Sequence, residues 1–144
     1  MAAIINRFGL FIVLAVLIAL GVTGNLFSLS PAVITGQLLA LALSVWARRS
    51  FPGGSFRVDA APAAAEIIRR GPYRFVRHPM YSAMLLFLWC GILSHSILWV
   101  VAAGILATVV ILSRVVLEER VLREKYADYT AYTKSTKAII PYIL

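Results

Sequence analysis

The sequence predicts an all-α integral membrane protein with four transmembrane helices followed by a C-terminal cytoplasmic helical tail. Three observations carry that expectation. Of 144 residues, 61% are hydrophobic and 14% charged, and the mean hydropathy is +0.88, a composition of membrane spans rather than of a soluble domain this size. Two long stretches, 8–47 and 79–113, contain no Asp, Glu, Lys or Arg. All 14 Lys and Arg lie at Arg7, within 48–77 or within 114–137, and the six acids share the latter two segments.

Residues 8–47 are too long for one crossing and suit two of roughly 20 residues each. The break falls where turn formers gather, from Gly24-Asn25 to Ser30-Pro31. Arg7 followed by an apolar run resembles a secretory leader, but a second apolar run follows at once, so we read a helix pair. Trp46 and the pair Arg48-Arg49 close the second helix at a membrane interface. Residues 50–78 form the long polar connection, with a turn at Phe51-Pro52-Gly53-Gly54 and a short helix expected over Ala60–Arg70. From Pro79 to Ser113 the spacing predicts a tight helical hairpin turning at Ser94-His95-Ser96. Its second arm runs on as a surface helix through Tyr126, with acids and bases four residues apart. Tyr126, Tyr129 and Tyr132 then fall three apart on one helical face.

Four helices put the N-terminus, the 48–78 loop and the tail on one side, together with every basic residue; positive loops stay inside, so that side is cytoplasmic. The expected organisation is a single membrane domain, 1–144, lying in the inner or plasma membrane if the cell is bacterial. It comprises an N-terminal helix pair (1–47), a cytoplasmic loop (48–78), a helical hairpin (79–117) and a cytoplasmic tail (118–144). The net charge of +8 marks membrane edges in this pattern, so no nucleic-acid partner is expected. Cys90 is alone, which excludes an intrachain disulfide and a cysteine metal cluster; no metal site is expected. No strand–glycine–helix pattern or phosphate loop is present, so a Rossmann route to a nucleotide is excluded.

The chemistry concentrates in Gly71-Pro72-Tyr73-Arg74-Phe75-Val76-Arg77-His78-Pro79-Met80-Tyr81. Proline biases the preceding residue away from helix, so His78 marks a boundary and Pro79 the first helical position. A polar loop thus ends where a membrane helix begins, with arginines, a histidine and two tyrosines at the junction. Farther on, Glu119 has Arg123 four residues ahead, the favourable order for a surface pair, whereas Glu118 has Leu122 there and Arg114 one turn back. Arg114 and Glu118 therefore share a face nearer the membrane, and ionisable groups at that depth are functional candidates.

Gly71-Pro72-Tyr73, Arg77-His78-Pro79-Met80-Tyr81, Glu118-Glu119-Arg120-Val121-Leu122, the three spaced tyrosines and Ile140-Pro141 occur in an order that resembles the isoprenylcysteine carboxyl methyltransferase family and its phospholipid N-methyltransferase relatives. The resemblance runs from about Ala65 to Pro141. It implies an S-adenosylmethionine-dependent membrane methyltransferase with its pocket at the cytoplasmic face. Tyr73, His78, Pro79, Met80 and Tyr81 would line the cofactor, Ile67 and Ile68 would lie near the adenosine, and Glu118 and Glu119 would meet the ligand. Arg114 and Glu118 would be the catalytic pair. The implied acceptor is a membrane lipid or a hydrophobic or prenylated small molecule. Ala83 stands where the family commonly has glycine, Lys137 where arginine often precedes the terminal proline, and no phenylalanine-glycine pair precedes Tyr126.

Methyl transfer from a sulfonium is an in-line displacement in which position, orientation and desolvation carry the catalysis. No nucleophilic side chain is required and no serine–histidine–acid pattern is evident. Glutamate suits the cofactor's ammonium, arginine its carboxylate, and tyrosine rings its base and cationic sulfur. Plainer roles compete: Arg48, Arg49, Arg69 and Arg70 as topology determinants, His95 as a turn residue, the three tryptophans as interface or packing residues, and the tail tyrosines as a docking face. Two other functions compete with this one: a sterol-reductase-like oxidoreductase using a nicotinamide dinucleotide, and a non-enzymatic helical scaffold. Oligomeric state is not encoded in these patterns.

Overall fold

A computed structural model describes residues 2–51, 67–95 and 97–140, with side chains from Phe8 onward. Its helices are α1 (Ala2–Val22), α2 (Pro31–Arg49), α3 (Pro79–His95), α4 (Leu98–Lys125) and α5 (Tyr129–Ser135), with a 3-10 turn at Gly71–Arg74 between α2 and α3. Pro31 and Pro79 stand at the first helical positions of α2 and α3, where a missing N–H costs nothing. Arg123 and Lys125 close α4, where cations suit the negative end of the helix dipole.

Helices α2 and α4 are long and apolar enough to cross a membrane; α3 and the described part of α1, Phe8–Val22, are apolar but shorter. Against the four transmembrane helices expected, two of the described helices are long and apolar enough to span a membrane. The reason is visible in α3: Pro79 pins its start and the hairpin turn ends it after 17 residues. That is about 26 Å, against roughly 30 Å of hydrocarbon. Helix α4 has 28 residues, about 42 Å, so its charged end outruns the apolar layer.

The core sits toward the end of the bundle away from the charges, where Leu20, Leu26, Leu88, Ile92, Val100 and Ala107 pack together. The α1–α2 connection tucks inward there. Gly24 turns with φ +73°, and the buried Gln37 side chain donates to the Leu26 carbonyl at 2.8 Å. A Cβ on Gly91 would collide with that same carbonyl, so α3 needs glycine at the crossing. Apolar side chains cover much of the outside instead, among them Phe11, Ile18, Leu38, Leu41, Ile105 and Val109. Exposed apolar faces on several helices suit a lipid solvent.

The α3–α4 hairpin sets the register of the functional end. Gly104 admits the tip of Ile92, and Trp89 donates to Thr108 at 3.0 Å. Continued down the antiparallel pair, this register brings Tyr81 beside Arg114 and Glu118. The tail then folds back on the start of α3. A parallel bridge joins Val76 to Lys137, with Arg77 N–H donating to the Lys137 carbonyl at 2.8 Å and His78 N–H to that of Ala138 at 3.0 Å.

Two local expectations are revised. Residues 67–70 are not helical, and Arg70 enters the 3-10 turn with extended backbone (φ −115°, ψ 164°); the rest of the expected Ala60–Arg70 helix, and the Phe51–Gly54 turn beyond Phe51, lie outside the described residues. The three tyrosines do not share one helix: α4 ends at Lys125, and Tyr126 is extended (φ −115°, ψ 116°). Only Tyr129 and Tyr132 lie on α5, both buried.

Candidate active site

At the junction of loop, hairpin and tail, three segments deliver charge to one place. The loop supplies Arg77 and His78, the first turn of α3 supplies Tyr81, and α4 supplies Arg114, Glu118 and Glu119. The Tyr81 hydroxyl donates to Glu118 Oε1 at 2.5 Å and accepts from Arg114 Nε at 3.1 Å. Arg114 Nη2 lies 3.8 Å from the same carboxylate oxygen. Arg114 is 3% exposed, and carboxylate and phenol answer its buried charge. Its guanidinium also sits 5.8 Å from the Tyr81 ring centre, in cation–π range.

His78 stands between the two carboxylates. Nδ1 is 3.6 Å from Glu118 Oε2 and Nε2 is 3.6 Å from Glu119 Oε1. Those separations exceed a hydrogen bond and hold the ring by charge. Burial opposes protonation of the imidazole, but the two carboxylates outweigh it and raise its pKa. The ring lies 5.8 Å from that of Tyr81.

Glu119 makes its expected helix pair and a second, closer one. It does meet Arg123, at 3.4 Å, but its closer partner is Arg77, whose Nε donates at 2.7 Å. Its side chain is as enclosed as that of Glu118, 14% against 16% exposed. The helix turns 100° per residue, and the cluster is wide enough to engage both faces. Arg77 is the residue that sequence reasoning left out of the site. It also donates to the carbonyls of Thr133 and Thr136, so one guanidinium ties the Glu119 carboxylate to the tail. Its place beside His78 in the motif was the available signal.

The remaining sequence candidates occupy the surround. Pro79 is fully buried and Met80 half-buried in the first turn of α3. Tyr73 packs edge-on against Phe51 at 5.5 Å, and its carbonyl accepts the Tyr132 hydroxyl. Burial, then the neighbouring Tyr132 and Glu118, push the Tyr73 phenol well above its ordinary range. Ile67 and Ile68 are half-buried in the extended approach to the 3-10 turn and add no group to the ionic cluster. No group of three or more His, Cys, Asp or Glu that could hold a metal occurs among the described residues.

Fold and site together define an all-helical protein with membrane-spanning apolar helices and a polar, acid–base-rich side-chain cluster at one end of its bundle. A family model described as phospholipid methyltransferase matches residues 1–129. The chain belongs to the phospholipid methyltransferase family, and so to the methyltransferases rather than to the competing oxidoreductases or scaffolds. The match begins earlier than the motif resemblance suggested and supports the broader family, not the isoprenylcysteine branch. No curated protein and no solved structure matches the chain.

Proposed function

We propose that the protein transfers a methyl group from S-adenosylmethionine to an amphiphilic acceptor at the cytoplasmic membrane face. The observation that carries this reading is the convergence of His78, Tyr81, Arg114, Glu118 and Glu119 at the point where α3 starts and α4 leaves the apolar layer. The donor set fits the cofactor. Glu118 and Glu119, enclosed but not fully buried, suit its ammonium. Tyr81 and Tyr73 offer rings for its cationic and aromatic parts. The buried His78 Nε2 has no hydrogen-bond partner among the described residues, a donor that a ligand would satisfy. When bound, the cofactor supplies an electrophilic methyl on sulfur.

The chain's own residues position and desolvate. Glu118 and Tyr81 hold one another and Arg114 in a fixed triangle, and Arg114 orients an anionic carboxylate or headgroup of the acceptor. The family's name favours a phospholipid-type acceptor, with an isoprenylcysteine-type carboxylate as the other member of the same amphiphilic class. Helices α2 and α4 cross the layer with the shorter apolar α1 and α3 packed beside them in this reading, and the loop 48–78 and the tail 118–144 face the cytoplasm. In a Cys90→Ala background, Ser94→Cys should then label only from outside sealed cells.

The deciding experiment incubates purified protein with methyl-labelled S-adenosylmethionine and a total lipid extract. A labelled lipid identifies the acceptor. No affinity for the cofactor and no labelled product would remove the reading.

A further inference from the structure

Two buried side-chain polar atoms lack a hydrogen-bond partner among the described residues: His78 Nε2 and the Tyr129 hydroxyl. Buried polar groups are nearly always satisfied, so an unsatisfied pair points to something the site receives. The two belong to one neighbourhood. His78 Nε2 faces Glu119 at 3.6 Å, and Glu119 is held by Arg77 at 2.7 Å. Arg77 in turn donates to the carbonyl of Thr133 at 3.4 Å, a residue one helical turn after Tyr129 in α5. Glu119 and Arg77 are the two charges acting most strongly on the Tyr129 phenol.

The tail tyrosines thereby separate. Tyr132 uses its hydroxyl structurally, on the Tyr73 carbonyl. Tyr129 is 2% exposed, and its ring packs edge-on against that of Tyr132 on the same helix, 5.9 Å away. A phenylalanine would pack equally well without a stranded hydroxyl. The hydroxyl therefore has a use beyond packing.

The charge around these donors selects the ligand. Arg77, Arg114, Arg123 and the imidazole of His78 surround two carboxylates, Glu118 and Glu119. Both ring nitrogens of His78 face carboxylate oxygens, which favours a proton on each and makes Nε2 a donor. Two donors in a locally cationic enclosure accept an anionic oxygen.

We propose that the Tyr129 hydroxyl and the His78 Nε2–H form an oxyanion-binding subsite beside the Arg77–Glu119 pair. It takes a carboxylate or a phosphate group of a bound ligand. The proposal deepens the methyltransferase reading and rests on it for the two sources of that group, the carboxylate of S-adenosylmethionine and the phosphate of a lipid headgroup. The tail is then part of the binding site, not only its cover.

The test compares wild type with Tyr129→Phe, which keeps the ring and removes one oxygen. Binding is read by thermal shift and calorimetry with four probes: S-adenosylmethionine, its decarboxylated analogue, inorganic phosphate, and vesicles containing phosphatidylethanolamine. If the cofactor carboxylate is the ligand, Tyr129→Phe loses about ten-fold in affinity for S-adenosylmethionine and binds the decarboxylated analogue as wild type does. If headgroup phosphate is the ligand, cofactor affinity is unchanged, while phosphate affinity and the apparent affinity for the vesicle lipid fall by a similar factor. In either case the ligand-free variant melts no lower than wild type, since a stranded hydroxyl has been removed. Wild-type protein that binds phosphate but not S-adenosylmethionine, with the phosphate effect lost in Tyr129→Phe, sinks the methyltransferase reading and keeps the subsite. Equal affinities of both proteins for every probe overturn the subsite, as does a ligand-free variant that melts lower with all affinities unchanged.

Discussion

Gly9 of α1 lies directly against the stem of Arg114 in α4: a Cβ at Gly9 would sit 3.3 Å from Arg114 Cδ and 3.2 Å from Val110 Cγ1. The N-terminal helix therefore shapes the functional end of the bundle, although it carries none of the candidate residues. The missing side chain gives the guanidinium room to reach Tyr81 and Glu118 from a buried position.

Filling that space should disturb Arg114 before it disturbs the fold. Gly9→Ala asks a flexible stem to give by a few tenths of an ångström, and the alanine gains about 1 kcal/mol of helix propensity in return. Gly9→Val cannot be accommodated so cheaply. We expect Gly9→Ala to fold as well as wild type. Gly9→Val should raise the acceptor KM about ten-fold, as expected for loss of one charge-assisted hydrogen bond, with little change in cofactor affinity. Equal losses for cofactor and acceptor would show that Gly9 acts on the whole bundle rather than through Arg114.

The neighbouring carboxylates should respond differently to amidation. Glu118→Gln keeps the size and can still accept from Tyr81 but removes the charge offered to a cationic ligand group. Cofactor affinity should fall by about 1.5–3 kcal/mol, roughly ten- to a hundred-fold. Glu119→Gln instead leaves Arg77, whose side chain is 10% exposed, without its counter-charge. Its main cost should be stability, about 1–3 kcal/mol, read as a lower melting midpoint. Calorimetry and melting on both variants separate the cases. A Glu119→Gln protein of normal stability that has lost the cofactor would reverse the assignment.

The sequence made some of this legible and hid the rest for physical reasons. Proline and glycine punctuation marked the starts of α2 and α3 and the α1–α2 break, because those residues act on local backbone alone. The Arg114–Glu118 face was legible for the same kind of reason, since spacing four is a property of one helix. Arg77 and the true surroundings of Glu119 were not, because they depend on the tail folding back through the Val76–Lys137 bridge, a contact between residues 61 positions apart that no periodicity encodes. The tyrosine triplet misled because its spacing fits a helix that in fact breaks at Tyr126.

Two side-chain hydrogen bonds help hold that folded-back tail, and removing either should be measurable. The Tyr132 hydroxyl meets the Tyr73 carbonyl, and Ser82 Oγ donates to the Ile139 carbonyl at 2.5 Å. Tyr132→Phe and Ser82→Ala should each cost about 0.5–1.5 kcal/mol. The two sites clip different parts of the tail, so their costs should add. Protease nicking after Lys134 or Lys137, both exposed, reports the loosening; unchanged nicking rates in the double variant would mean the tail is held elsewhere.

Stability should also depend on pH through His78. The groups facing it are Glu118 and Glu119 from α4 and the Tyr81 ring from α3, with Arg77 and Arg114 bonded to or beside the two carboxylates. Burial acts to lower the imidazole pKa and the carboxylates raise it, with a net rise above 6.5. A group that holds its proton more tightly when folded stabilises the fold fully below its unfolded pKa, about 6.5, and loses that contribution as pH climbs through the higher folded value. The melting midpoint of wild type should therefore be highest on the acid side of about pH 6.5 and decline as the buffer is taken toward about pH 9. His78→Gln should flatten that decline. His95→Gln, altered at the opposite end of α3, should keep it. A wild-type midpoint that stays level or rises over this interval would mean that the two carboxylates do not hold the imidazolium in the folded protein.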